Sequence, residues 1–194
     1  MNFTPGIAST SQTDATPVHT EPESNDFTLF NINGLAPQTK PSKIPFIRDI
    51  LACNSHLFLG LTETWLEHHT DAEVSIESYT LFRQDRPTRK NKKGRHVGGV
   101  SLYVLESWAP DADTLLKYSN KAVDILGVHI PSRNIFISVI YRQPDDKAHG
   151  NPSSNNEFVE VLNKLKDTIT ELPSPTPDII IMGDFNFPHM LPDM

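Results

Sequence analysis

Ile179-Ile180-Ile181-Met182-Gly183-Asp184-Phe185-Asn186 is a run of four apolar residues followed by a glycine and a polar turn. A short apolar run of this kind is typical of a strand that is buried in a sheet. Because Asp184 and Asn186 follow the run directly, a carboxylate and an amide lie together at the end of that strand. Such a pair at the edge of a sheet is suited to holding a metal-bound phosphate. The stretch therefore predicts a site for phosphate chemistry at a strand end.

Strands and helices alternate along the chain before this stretch. The apolar pattern predicts strands over Phe27–Asn33, Leu57–Leu61, Tyr79–Phe82, Val97–Leu105, Val123–Ile130, Ile135–Tyr141 and Asp178–Met182. Apolar residues at helical spacing predict helices over Pro41–Cys53 and from Ser154, where a capping box begins, to Leu172. Alternating strands and helices predict a layered α/β domain.

Polar residues also end the first two predicted strands. Asn31 and Asn33 would lie on one face of the first strand, where two amides could support a metal ion or a phosphate. The simpler interpretation of this pair is an Asx turn ahead of Gly34. Glu63 follows the second strand, and its carboxylate is either a magnesium ligand or a capping or solvated side chain.

The third and fourth polar clusters end the strands near the end of the chain. Tyr141 and Arg142 could both donate hydrogen bonds to a phosphate, or Tyr141 could lie in the core with a solvated Arg142. Asp184 and Asn186 are the strongest pair. Asp184 can accept or shuttle a proton, and Asn186 can hydrogen-bond a phosphate or an attacking water.

Length and composition limit the other possibilities. A chain of 194 residues with a formal charge of -7 predicts one folded domain, over residues 27–194, after a disordered acidic tail over residues 1–26. Cys53 is the only cysteine, so an intrachain disulfide is excluded. The sequence contains neither a long apolar run nor a secretory signal pattern, which predicts an intracellular protein without a membrane span.

A basic segment precedes Gly98 and contains Arg86, Arg89, Lys90, Lys92, Lys93 and Arg95. Such residues attract the phosphates of DNA without reading its sequence, which predicts contact with a nucleic-acid backbone. A localisation signal and a flexible, solvated hairpin tip are the alternatives. The overall negative charge does not exclude a nuclease that approaches phosphate through a metal ion.

The four polar clusters stand in a fixed order, with Gly98-Gly99-Val100-Ser101 between the second and the third. In this order they resemble the endonuclease/exonuclease/phosphatase superfamily, which includes deoxyribonuclease I and the apurinic endonucleases. The sequence is most similar to the endonuclease domain of non-LTR retrotransposons of the jockey and chicken-repeat type. The matching segments are Asn31–Leu35, Thr62–Leu66, Gly98–Tyr103, Tyr141–Pro144 and Gly183–Pro188.

The resemblance implies an α/β sandwich of two mixed sheets with outer helices, and hydrolysis of DNA phosphodiesters with Mg²⁺ or Mn²⁺. It also implies a role for each matching position. Asn31 would support the phosphate and the catalytic network, and Glu63 would bind magnesium. Tyr141 would contact the scissile phosphate. Asp184 would activate the nucleophile or protonate the leaving group, and Asn186 would orient Asp184. Asn33 stands where many relatives carry an acidic metal-site residue, which implies a weaker or water-mediated metal contact.

The resemblance further implies a partner domain and an incomplete active site. In a full-length element, a monomeric domain would nick target DNA in the nucleus, next to a C-terminal reverse transcriptase domain. The family completes its site with an Asp-His pair near the end of the domain, and no such pair follows Asn186 here. We therefore expect the domain to be incomplete at its C-terminus, catalytically inactive as these 194 residues, and exposed along an apolar sheet edge. A non-catalytic retroelement remnant with residual metal or nucleic-acid binding and a phosphatase or phosphodiesterase on the same fold are the alternatives.

Overall fold

Two four-stranded β-sheets form the centre of the molecule. The computed structural model describes residues 27–36, 41–54, 56–86, 97–144, 154–172 and 174–186. The first sheet has the order β1-β2-β4-β3, with β1 at Phe27–Asn31, β2 at Phe58–Thr62, β3 at Tyr79–Gln84 and β4 at Val100–Leu105. The second runs in chain order, with β5 at Asp113–Ser119, β6 at Val123–Ile130, β7 at Ile135–Arg142 and β8 at Asp178–Asp184. The helices are α1 at Ile44–Asn54, α2 at Asp71–Val74 and α3 at Ser154–Thr170.

Each sheet contains one parallel pair of strands whose connection includes a helix. β1 and β2 are parallel and are joined through α1, and β7 and β8 are parallel and are joined through α3. Parallel neighbours need such a long crossover, whereas the remaining pairs are antiparallel. The carboxyl ends of β1 and β2 therefore lie at one edge of the first sheet, and those of β7 and β8 lie at one edge of the second.

Three apolar clusters bind the layers together. The central cluster joins the inner faces of the two sheets, with Phe58, Val100 and Leu102 from the first and Leu126, Val128 and Val139 from the second. The outer face of the first sheet packs on α1 through Ile44, Ile47 and Leu51. The outer face of the second packs on α3 through Val161 and Leu165. The layered α/β architecture predicted from the sequence is confirmed.

Most predicted elements are present, with shifted ends. β6 has the predicted bounds, and its two faces enter different apolar clusters as the alternation required. The first strand ends at Asn31, two residues earlier than predicted. β5 and the short α2 were not predicted, and β5 contains a register shift between Thr114 and Leu116 that disrupts its alternation. Leu162, one of the apolar residues at helical spacing in α3, is 38% exposed.

One face of β8 is apolar and exposed, so the prediction of a strand buried on both faces is wrong. β8 is an edge strand of the second sheet, and its Ile179 and Ile181 are 41% and 48% exposed. The acidic tail, the tip of the basic segment and the residues after Asn186 lie outside the described residues. Within the described residues, no helix combines the length and apolar character required to cross a bilayer.

We predict that Gly183→Ala destabilises the fold by about 1–3 kcal/mol, because added side-chain atoms in a packed interior force backbone shifts. A Cβ atom at Gly183 would lie 2.2 Å from the backbone oxygen of Ile140 on the paired strand. Urea unfolding of the variant and the wild type measures the loss in free energy of unfolding. Met182→Leu, at the preceding residue, conserves volume and should cost less than about 1.5 kcal/mol. Equal losses in the two variants would contradict this account of the glycine.

Candidate active site

The four polar clusters predicted at strand ends meet at one edge of the sandwich. Asn31 is the last residue of β1, and it pairs with Thr62, the residue before Glu63. Tyr141 of β7 pairs with Asp184, the last residue of β8. Each parallel pair therefore supplies one half of the cluster.

The side chain of Asn31 joins the two halves. Its Nδ2 donates to Glu63 Oε1 at 3.0 Å and to Asp184 Oδ2 at 2.8 Å. Its Oδ1 accepts a hydrogen bond of 3.2 Å from the backbone N–H of Asn33, which is an Asx turn. The Asx-turn interpretation of Asn31 is therefore confirmed, while its side-chain amide also bridges two carboxylates. Its support of a metal ion or a phosphate stays a prediction.

Asn33 does not share a strand face with Asn31, because β1 ends before it and its φ is 47°. Within the described residues its side chain makes no hydrogen bond, and it is exposed beside the cluster. Its backbone oxygen, together with that of Ile32, accepts hydrogen bonds from Lys43 Nζ. Asn33 is thus positioned at the rim of the cluster, where its role as a metal contact stays a prediction.

Glu63 lies on a strained turn that backbone hydrogen bonds hold in place. Glu63 and Trp65 both have φ values of 56°, a region that non-glycine residues seldom occupy. Gly34 N–H donates to Glu63 O at 2.7 Å, and the Trp65 ring packs so closely on Gly34 that a Cβ there would lie 2.6 Å from it. The turn is therefore locked against the turn that follows β1, and the Glu63 carboxylate is held at the edge of the sheets.

Tyr141 is 5% exposed and its hydroxyl hydrogen-bonds Glu63. Burial raises the pKa of its phenol well above the usual range, and the negative charges of Glu63 and Asp184 raise it further. The nearby guanidinium of Arg86 opposes this rise in the pKa. Tyr141 is consequently a neutral hydrogen-bond donor at physiological pH.

The structure corrects both interpretations of Arg142. Its side chain is fully buried rather than solvated, and Nη1 donates to the backbone oxygen of Asn186 at 2.8 Å. In return, Asn186 Nδ2 donates to the backbone oxygen of Arg142 at 2.7 Å. Arg142 thus shapes the turn after β8, and it does not fit the predicted role as a DNA contact. Asn186 lies in that turn, and within the described part of the chain one amide N–H and Oδ1 of its side chain make no hydrogen bond.

Arg86 also does not fit the predicted role as a DNA contact. It is 3% exposed, and its Nε donates to Asp124 Oδ1 at 2.8 Å. The other basic residues of that segment, Arg89, Lys90, Lys92, Lys93 and Arg95, lie outside the described residues, so their contact with DNA stays a prediction. Asp124 was overlooked in the sequence, although a carboxylate within the apolar alternation of β6 signals a buried partner.

Solved structures share this arrangement of strands. AP endonuclease LMAP from Leishmania major has a TM-score of 0.58 at 14% identity, over 81% of this chain and 54% of that one. The human Nocturnin catalytic domain with bound sulfate has a TM-score of 0.53 at 13% identity, over 81% and 62%. D. rerio TDP2 complexed with a single-strand DNA product has a TM-score of 0.52 at 14% identity, over 82% and 59%.

The chain has the DNase I-like fold. At such low identity the similarity establishes the fold alone. The chain spans less than two thirds of each of these neighbours, at 54%, 62% and 59% of their lengths. No protein-family model matches the sequence, and no curated protein matches it. The predicted sandwich of two mixed sheets is confirmed, and the retrotransposon type stays a prediction.

We predict that Asn31→Asp destabilises the metal-free protein by about 1–3 kcal/mol, because it removes two hydrogen bonds to charged groups and adds a third carboxylate. Millimolar Mg²⁺ should raise the thermal midpoint of this variant more than that of the wild type. Asn33→Asp is the control, since its exposed side chain should change stability by no more than about 0.5 kcal/mol. Equal losses in both variants would show that the Asn31 bridge contributes nothing.

The raised pKa of Tyr141 predicts a specific pH dependence of stability. Below about pH 10 the phenol is protonated in both the folded and the unfolded chain. Above that pH the unfolded chain releases the proton while the folded chain retains it, so stability falls as pH rises. Tyr141→Phe should be less stable than the wild type by about 1–2 kcal/mol at pH 8, through the lost hydrogen bond to Glu63. This difference should shrink above about pH 10.

Urea unfolding of both proteins at the two pH values measures the difference. Phe136→Leu is the control, because it also alters a buried aromatic residue of β7 but removes no titratable group. Its stability relative to the wild type should be the same at both pH values. A constant difference for Tyr141→Phe would contradict the raised pKa.

Proposed function

We propose that this chain is the DNA-processing part of a metal-dependent phosphodiesterase, an endonuclease domain of the non-LTR retrotransposon type. The observation that carries the proposal is the Asn31 amide that bridges Glu63 and Asp184 beside the Tyr141 hydroxyl. This arrangement places two carboxylates, a neutral phenol donor and an amide around one point at the edge of the sheets. These are the groups that metal-assisted cleavage of a phosphodiester requires.

The donor set fits Mg²⁺ better than a transition metal. Within the described residues, no three His, Cys, Asp or Glu side chains come together as a metal site. Mg²⁺ binds through one or two carboxylates and retains several waters, whereas zinc takes three or four nitrogen, sulfur or oxygen ligands from the protein. Glu63 would hold the ion, with Asn33 at the rim as a water-mediated contact. The bound ion would neutralise charge that develops on the phosphate.

Four groups of the chain itself would take part in the remaining steps. The Tyr141 hydroxyl would donate to a non-bridging oxygen of the scissile phosphate, and Asn186 would orient the reacting groups. Asp184 would accept the proton of a water whose oxygen forms the new bond to phosphorus. The bond between phosphorus and O3′ would break, and O3′ would take a proton to become a free 3′-hydroxyl. That end is the primer that a downstream reverse transcriptase domain would extend.

The choice of DNA has separate support. Two of the neighbours act on or bind DNA by their names, as an AP endonuclease and as TDP2 with a single-strand DNA product. The matching segments of the sequence resemble retrotransposon endonucleases from the first strand to the last. The basic residues over 87–95 supply positive charge that would attract a phosphate backbone.

We predict that nicking of supercoiled plasmid DNA by a protein that contains this domain requires Mg²⁺ and is abolished by a chelator. Asp184→Ala should abolish nicking, a loss of at least about 100-fold, because the proton acceptor is removed. Asp178→Ala is the matched control, since Asp178 is an exposed carboxylate at the other end of β8. It should leave the rate unchanged.

The 194-residue chain is tested first, and any longer protein that its transcript encodes is tested beside it. Nicking by either protein that is lost in Asp184→Ala and kept in Asp178→Ala would support the proposal. Equal nicking in Asp178→Ala and Asp184→Ala would contradict the proposed role of Asp184. Release of phosphate from monoesters without nicking would assign the fold to a phosphatase. Failure of the folded proteins in all these assays would leave the non-catalytic remnant as the correct account.

A further inference from the structure

A buried ion pair lies directly behind the proposed site. Arg86 and Asp124 are 2.8 Å apart, with side chains 2% and 0% exposed. Asp124 Oδ1 also accepts a hydrogen bond of 2.5 Å from the Ser119 hydroxyl. Charges removed from water in this way are costly unless they are paired and hydrogen-bonded. Apolar side chains of similar volume would often stabilise such a position equally well, so stability alone is a weak reason for this pair.

The ion pair holds the glycine turn that supports Glu63. Asp124 Oδ2 accepts a hydrogen bond of 2.8 Å from the backbone N–H of Gly99. Gly98 has a φ of 90°, and a Cβ there would lie 2.8 Å from Asp124 Oδ2 and 2.9 Å from Arg86 Nε. The pair and the turn are therefore in direct contact, with no room for a side chain between them.

The same turn then fixes the residues that follow Glu63. Gly99 O accepts the N–H of Thr64 at 3.2 Å, and Gly98 O accepts the N–H of Trp65 at 3.0 Å. These two amides belong to the strained turn that carries the Glu63 carboxylate. A displacement of the glycine turn would consequently displace Glu63.

The ion pair also contacts Tyr141. The Arg86 guanidinium carbon lies 5.7 Å from the centroid of the Tyr141 ring, within the range of a cation–π interaction. Asp124 on β6 is the direct cross-strand partner of Tyr141 on β7. The guanidinium thus lies over the face of the ring whose hydroxyl hydrogen-bonds Glu63.

We propose that the Arg86–Asp124 ion pair is a positioning unit, which sets the places of both Glu63 and Tyr141 at the edge of the sheets. This inference rests on the proposed function for its meaning, because these two residues are the proposed metal ligand and phosphate donor. It assigns a task to two residues that do not touch substrate. One buried contact would control both groups, so loss of either charge should disturb them together.

The test uses the full chain without metal, so it does not depend on nicking. Asp124→Asn keeps the shape of the side chain and removes its charge. We expect the backbone amides of Thr64 and Trp65 to exchange with deuterium at least about tenfold faster, because local opening becomes easier. In protein with ¹³C-labelled tyrosine, the ring signal of Tyr141 should shift and broaden, while that of Tyr79 at the far end of the first sheet should stay in place.

Val161→Ala is the control for a general loss of stability, because Val161 is buried on the face of α3 that packs on the second sheet, in a different apolar cluster from Tyr141. The two variants are compared at urea concentrations where their global stabilities are equal. Under that condition Val161→Ala should change neither the Thr64 and Trp65 amides nor the Tyr141 signal. Equal changes in both variants, or no change in a folded Asp124→Asn, would overturn the proposal.

Two milder variants keep the test decisive where Asp124→Asn does not fold. Ser119→Ala removes one hydrogen bond to Asp124, and Arg86→Lys keeps the positive charge while it loses the Nε–H. Both should produce the same changes at smaller size, and unchanged signals in both would overturn the proposal.

If the expected changes occur in a chain that never nicks DNA, the positioning role holds and the proposed function fails. If the chain nicks, kcat should fall at least about tenfold in these variants with KM for DNA unchanged.

Discussion

The inner faces of the two sheets pack on each other, and this contact brings Asn31 of one sheet within hydrogen-bonding distance of Asp184 of the other. The sheets approach closely at Gly60, where a Cβ atom would lie 2.6 Å from Met182 Sδ. Neither sheet alone contains the proposed site, since Glu63 follows a strand of the first and Tyr141 belongs to the second. The chemistry at the edge therefore depends on the apolar layer between the sheets, and interiors packed this tightly transmit any change in volume.

Two of the positive charges that the structure describes near the site, those of Arg86 and Arg142, lie behind the carboxylates. Arg86 is buried against Asp124 and the Tyr141 ring, and Arg142 is buried against the backbone of the turn after β8. Arg142 directs Nη1 and Nη2 at fixed oxygen acceptors, a planar geometry that a lysine could not reproduce, whereas Arg86 donates to Asp124 through Nε. Among the described residues, the burial of these two guanidinium groups leaves the edge rich in the oxygen atoms of Glu63 and Asp184. An edge of that kind attracts a divalent cation first, and a phosphate only through that cation.

Strand ends could be predicted from the sequence because they depend on the local apolar pattern. Whether a charged side chain is buried or solvated depends on tertiary contacts, and that could not be predicted. The apolar run before Asp184 and the alternation in β6 each gave the observed strand within two residues. The same reasoning placed Arg86 and Arg142 in contact with DNA, because basic residues next to strand ends are usually solvated. Their burial depends on Asp124 and on the turn after β8, both distant along the chain. β5 was missed because its register shift removes the period-two signal on which strand prediction depends.

Backbone strain is concentrated where the proposed chemistry lies. Among the described residues, six non-glycine residues have positive φ, and four of them, Asn33, Glu63, Trp65 and Asn186, follow the strands that form the site. A left-handed conformation costs about 1–2 kcal/mol for residues other than glycine, although asparagine tolerates it better. Hydrogen bonds from Gly34 to Glu63 and from Trp65 to Gly98 offset that cost. The backbone of Glu63 therefore cannot move without breaking those bonds. In the proposed site, the strain and the bonds would restrict where the carboxylate can lie before a substrate arrives, which is the condition for electrostatic preorganisation.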